Sequence, residues 1–141
     1  MSRIETAVAR FEEGYSCAQA IFSTYAESLG MDCQTAMKLS SGFGGGMGRM
    51  ALTCGAVTGA FMLLGLRHGG EDADSREKAY QMVKEFANQF EQRHGTLGCK
   101  DLMGCDISTP EGMQDMKDRG LRSGICTPLV RDAAEILEAM L

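Results

Sequence analysis

The residues of this 141-residue chain whose types carry redox or metal chemistry are six cysteines and two histidines: Cys17, Cys33, Cys54, Cys99, Cys105 and Cys126, with His68 and His94. No two cysteines form a CxxC pair, so the local signature of thioredoxin-like proteins, zinc knuckles and bacterial ferredoxins is missing. Any shared site must be assembled from distant segments. Five of the six stand at expected helix starts. Cys17 follows Ser16, Cys33 follows Asp32, Cys54 follows Thr53, Cys99 follows Gly98, and Cys126 precedes Thr127-Pro128. A helix N-terminus offers unpaired N–H groups and partial positive charge, which lower a thiol's pKa and favour the thiolate that attacks disulfides or binds metals. Small cysteines also fit the first turns of short helices without any chemistry, and spacing alone does not choose between the two readings.

The elements that must position these thiols read as helices. Ser2 and Glu5 form a capping-box pattern, with Ile4, Ala7, Val8 and Phe11 following at helical spacing until Gly14. A second helix starts at Ser16, carries Ala18, Ile21, Phe22, Tyr25 and Leu29 as its stripe, and ends at Gly30. Asp32 suits the cap of a short third helix over 33–39. The longest pattern, with Ala79, Met82, Val83, Phe86 and Phe90 on one side, follows the acidic stretch Glu71 to Asp74 and stops at Arg93-His94-Gly95. Helical pieces are expected over 99–103 and 110–119, the latter with Ser108 and Glu111 as a capping box. A last helix starts near Thr127-Pro128, proline being favoured in the first turn. No stretch alternates with a period of two, so the expectation is an all-α fold: one compact helical-bundle domain of about five to seven helices over residues 1–141.

The chain is organised around SGFGGGMGRMALTCGAVTGAFMLLGL, residues 41–66. It opens with five glycines within seven residues, at 42, 44, 45, 46 and 48, and then runs without a charge from Arg49 to Arg67. A helix apolar on every side must be buried. Gly55 and Gly59, four apart, let a neighbouring backbone approach, and Thr53 stands where it can cap the helix that follows Cys54. The loop is no P-loop, because Arg49-Met50 replaces Lys-Ser/Thr, and GxGxxG fails in either register. What remains is backbone able to take positive φ beside a thiol, with Arg49 as a nearby positive charge. His68 and His94 each sit between Arg and Gly at a helix end, where a positive side chain is favoured, and His94 is the better placed of the two for a role near Cys99. Eleven methionines are expected chiefly in the core, with Met47 and Met50 flanking the glycine loop.

A net charge of −5 and the absence of a basic stripe exclude a general nucleic-acid binder. The apolar run is too short and glycine-rich for a membrane span, and the N-terminus reads as an amphipathic helix rather than a secretion signal. A cytoplasmic location is expected. Reduced thiols there turn attention to metal or redox chemistry before structural disulfides.

Cys17 within EGYSCAQA, the block GFGGGMGRMALTCGAVTGA, Cys99 within GTLGCKDLMGCDISTPEG, and Cys126 before PLVRDAAEIL together resemble the redox family labelled C_GCAxxG_C_C. The central motif here is Cys54-Gly55-Ala56-Val57-Thr58-Gly59. The resemblance covers nearly the whole chain and implies a small, cysteine-dependent redox protein. It assigns the four signature positions to Cys17, Cys54, Cys99 and Cys126, and leaves Cys33 and Cys105 outside.

The expected function is thus a cysteine-dependent redox protein, working by thiol–disulfide exchange or electron transfer, with Cys54 as the attacking thiolate and one of Cys17, Cys99 or Cys126 resolving it. One alternative is a metal or iron–sulfur protein with these four as a thiolate quartet; another is a non-enzymatic helical interaction module. No residue is assigned outright to a metal, and the cofactor is open. The expected partner is a redox protein of unknown identity, and the amphipathic end helices leave room for a homo-oligomer.

Overall fold

The computed structural model describes residues 1–141 and contains eight α-helices: α1 Arg3–Glu12, α2 Cys17–Ser28, α3 Cys33–Ser40, α4 Gly55–His68, α5 Ala73–His94, α6 Cys99–Met103, α7 Pro110–Asp118 and α8 Thr127–Glu138. The number exceeds the expected five to seven because both pieces between Cys99 and Asp118 are helices in their own right. No helix is long and apolar enough to cross a membrane.

Most helix starts follow from local side-chain chemistry. Ser2, Ser16, Asp32 and Asp72 cap α1, α2, α3 and α5 by accepting from backbone N–H groups of the first turn. Ser16 and Gln19 form a complete capping box, which fixes Cys17 as the first residue of α2. Two expected caps differ. Thr109, not Ser108, caps α7, because Ser108 is turned back onto Asp106. Thr53 does not cap α4 either. It pairs with Gly98 in an isolated antiparallel bridge, and this extended conformation delays the helix until Gly55.

The core is a cluster of 24 buried residues centred on α2 and α4, with α1, α5 and α8 packed round them. Helix α4 is buried from Gly55 through Ala60 and again at Leu63 and Leu64, as its charge-free sequence requires. Helix α2 is buried over nearly as much of its length, from Ala18 to Ala26 apart from Gln19. The two helices lie against each other where glycine leaves room. A Cβ on Gly59 would stand 3.1 Å from the Ala18 carbonyl oxygen, and one on Gly55 2.6 Å from Cys17 Sγ. Helix α5 contributes Phe86 and Phe90, stacked with centroids 6.1 Å apart, and Phe61 meets Phe86 edge-on. A second, smaller cluster of Ala51, Cys99, Met103, Ile107 and Leu121 joins α6 to the glycine loop and to the turn before α8.

Candidate functional site

Four segments converge at one end of the α2–α4 pair, each for a local reason. The capping box points the start of α2, with Cys17, at the start of α4. The Thr53–Gly98 bridge ties the chain before α4 to the chain before α6: Cys54 N–H donates to the Leu97 carbonyl at 2.8 Å, and Cys99 N–H to the Leu52 carbonyl at 2.6 Å. Cys54 and Cys99 are therefore held one residue beyond each partner of the same bridge.

The third segment is the glycine loop, which makes a short left-handed coil. Gly45, Gly46, Met47, Gly48 and Arg49 all have φ between +61° and +70°, and Ala51 has +57°. Three of these six are not glycine, and each costs about 1 kcal/mol or more in that region. Bonds from Arg49 N–H to Gly44 O, from Ala51 N–H to Gly45 O and from Leu52 N–H to Gly46 O hold the coil. The coil also fills a narrow space, for a Cβ on Gly46 would meet Cys99 Cβ at 2.7 Å, and one on Gly44 would meet Ser16 Cβ at 2.7 Å. The strained loop is thus wedged between two cysteine-bearing helix starts.

The fourth segment carries Cys126. Residues Arg122–Cys126 form a π-turn that runs directly into α8, so Cys126 lies inside a continuous helical run rather than at a free N-terminus. Wide π-turns are uncommon and frequent at functional sites. Arg122 anchors this one, stacking on the Phe11 ring at 3.8 Å and donating to the carbonyls of Phe11 and Tyr15 at the end of α1.

The four segments enclose a cavity of about 710 Å³. Cys17, Cys54, Cys99 and Cys126 all line it, together with Gly42, Gly44, Gly45, Gly46, Gly48 and Arg49 of the loop. Cys33 and Cys105 do not. Cys33 begins α3, and Cys105 packs beside the smaller cluster.

The thiols are not equivalent. Cys17 Sγ lies 2.6 Å from where a Cβ on Gly55 would stand, and so beside Cys54. The Cys54 thiol beside it, followed by the nearby N–H groups of Ala18, Ala56 and its own residue, outweighs the burial of Cys17 and brings its pKa down to about 7. Cys54, only 5% exposed, is pushed well up by the Cys17 sulfur beside it and by burial. The two thiols lose their protons in succession, the first near neutral pH and more readily from Cys17. The surroundings thus favour ionisation at Cys17 over Cys54, whereas the sequence pointed to Cys54 as the thiolate. Arg49 is exposed at the rim, and the leading influences on both thiols are each other, burial and backbone N–H groups rather than its charge.

Burial dominates at the other two. Cys99 is pushed up to about 11 and Cys126 to about 12, each raised further by the Cys17 charge. Cys99 begins a helix of only five residues, and its own N–H is committed to the bridge. Cys126 Sγ lies 3.2 Å from Met103 Sδ, a soft partner that does not favour an ionised sulfur.

The histidines face elsewhere. His68 Nε2 lies 2.9 Å from the Met140 carbonyl oxygen. His94 packs on Phe90, with Nε2 2.9 Å from Asp132 Oδ2 but without hydrogen-bond alignment. No three Cys, His, Asp or Glu side chains converge closely enough to hold a metal ion. The four cysteines share a cavity, but their arrangement is not that of a preassembled thiolate quartet.

A small all-helical fold with a glycine-walled, cysteine-lined cavity defines the class of protein. The chain belongs to the family described as "Putative redox-active protein (C_GCAxxG_C_C)", whose pattern matches residues 15–140. No curated protein and no solved structure matches it.

Proposed function

We propose that this protein performs thiol–disulfide exchange, with Cys17 as the attacking thiolate and Cys54 as the resolving thiol. The observation that carries this reading is the placement of Cys17 and Cys54 side by side on the cavity wall, with Cys17 Sγ packed against Gly55 next to Cys54 and with surroundings that bring the Cys17 pKa down to about 7. A thiol with a pKa near the working pH combines a large thiolate fraction with good nucleophilicity. Cys17 opens a substrate disulfide and becomes one half of a mixed disulfide. Cys54 then attacks Cys17 Sγ, gives its proton to the departing thiolate, and closes an internal disulfide. Gly55 makes this approach feasible, since any side chain there would occupy the space of Cys17 Sγ. Cys99 and Cys126 stay protonated at neutral pH and form a neutral thiol wall beside the couple.

Thiol counting before and after mild oxidation tests the reading. The wild type loses two thiols and regains both on reduction. Cys17→Ser and Cys54→Ser, each checked for native helicity by circular dichroism, lose none to an intramolecular bond. Six free thiols after treatment with excess disulfide, or an unchanged loss of two in both variants, would refute it.

A further inference from the structure

The cavity's charged lining has one sign. Arg49, Lys117 and Arg122 line it, and no aspartate or glutamate does, although the chain has 19 acidic residues against 14 Lys and Arg. Arg122 is spent on the Phe11 and Tyr15 carbonyls. Arg49 and Lys117 make no ion pair, so both charges are available to a ligand in the cavity. The N–H groups of Gly45, Gly46 and Gly48 also donate to no acceptor in the protein, and all three glycines line the same cavity. The lining also has an apolar, adaptable part: Leu102, Met103, Ile107, Met113 and Met116. A volume of about 710 Å³ is that of a small-molecule site.

Resting on the thiol–disulfide reading of the site, we propose that its substrate is the disulfide of an anionic low-molecular-weight thiol, whose carboxylate or phosphate groups bind Arg49, Lys117 and the glycine-loop N–H groups while its aliphatic part lies on the methionine wall. In the reaction the Cys17 thiolate attacks one sulfur of RS–SR, forming Cys17–S–SR and expelling RS⁻, which takes a proton from water. Cys54 then attacks Cys17 Sγ and expels the second RS⁻, which receives the Cys54 proton. One disulfide is reduced by two electrons to two RSH, and the Cys17–Cys54 dithiol is oxidised to a disulfide.

The test measures the rate at which the reduced full-length protein is oxidised by glutathione disulfide (anionic), hydroxyethyl disulfide (neutral) and cystamine (cationic). Each rate is divided by that of the same disulfide with 2-mercaptoethanol, which removes differences in intrinsic reactivity. The expected normalised order is anionic, neutral, cationic, with on the order of a tenfold preference for glutathione disulfide over the neutral probe. The preference shrinks as salt is raised. Arg49→Gln combined with Lys117→Gln brings glutathione disulfide down to the neutral rate. Lys78→Gln combined with Lys84→Gln, two exposed cations of α5 outside the cavity, keeps the preference and controls for net charge. Equal normalised rates for all three probes, cystamine as the fastest, a preference that survives the double variant, or oxidation by a protein disulfide alone would each overturn this inference and leave the exchange reading standing. Failure of every disulfide to oxidise the Cys17–Cys54 pair would overturn both.

Discussion

Replacing Cys54 by alanine tests why Cys17 ionises. The largest influence lowering Cys17 is the hydrogen bond from the Cys54 thiol; burial alone would push it up. With the donor removed, the N–H groups of Ala18, Ala56 and Cys17 remain against that burial, and the Cys17 midpoint should climb from about 7 back to the ordinary thiol range near 9. At pH 7 the thiolate fraction then falls from about one half to about 1%, roughly fiftyfold. A more basic thiolate is intrinsically more reactive, by about tenfold over two pH units at a Brønsted slope near 0.5, so the rate at pH 7 drops only about fivefold. The midpoint is therefore the sharper readout. It is measured by following iodoacetamide modification of the Cys17 peptide against pH by mass spectrometry. In the wild type the rate rises with pH through about 7; in Cys54→Ala the rise moves upward; in Cys54→Ser, where a hydroxyl still donates, it lies between. A midpoint unchanged in the alanine variant would refute the claim that the Cys54 thiol lowers Cys17. A low-midpoint thiol that persists at Cys54 in Cys17→Ala would show that the ionised member had been misassigned.

Other perturbations read separate parts of the same geometry. Gly55→Ala places a methyl 2.6 Å from Cys17 Sγ and 3.0 Å from the Ala18 nitrogen, so it should cost about 1–3 kcal/mol in denaturant unfolding and move the Cys17 midpoint. Full stability together with an unmoved midpoint would argue against that contact. Ser16→Ala removes the cap of α2, with an expected loss of about 1 kcal/mol and slower Cys17 alkylation at pH 7 as the first turn loosens. Cys99 and Cys126, raised to about 11 and 12, should resist alkylation at neutral pH and react only in strongly alkaline solution, while Cys17 reacts at pH 7. Rapid modification of either at pH 7 would contradict the burial argument.

Much of the fold was legible because its signals are local. The caps at Ser2, Ser16 and Asp32, the charge-free run of α4 and the apolar faces of α1 and α8 each announce a helix from neighbouring residues. The small residues Gly55 and Gly59 announce a close approach, though not that α2 is the helix that comes close. The site was less legible because its chemistry depends on distant pairings. Which of two cysteines ionises turns on who donates to whom across the α2–α4 contact, and spacing within either helix carries none of that. Thr53 is a sound capping residue by type, yet the Gly98 bridge claims it. The glycines announced positive φ, but nothing in Met47, Arg49 or Ala51 signals that they share it. The π-turn at Arg122–Cys126 likewise has no local mark, since Thr127-Pro128 reads as an ordinary helix start.

The central claim is that Cys17 and Cys54 are the working couple, and disulfide mapping tests it most directly. The fully reduced protein is oxidised with one equivalent of a small disulfide, remaining thiols are blocked at low pH, and the digest is analysed by mass spectrometry without reduction. The account predicts a Cys17–Cys54 linked peptide as the main product, with Cys33, Cys99, Cys105 and Cys126 blocked as free thiols. A dominant link that leaves Cys54 blocked and free, whether through Cys17 to Cys99 or between Cys99 and Cys126, would contradict it.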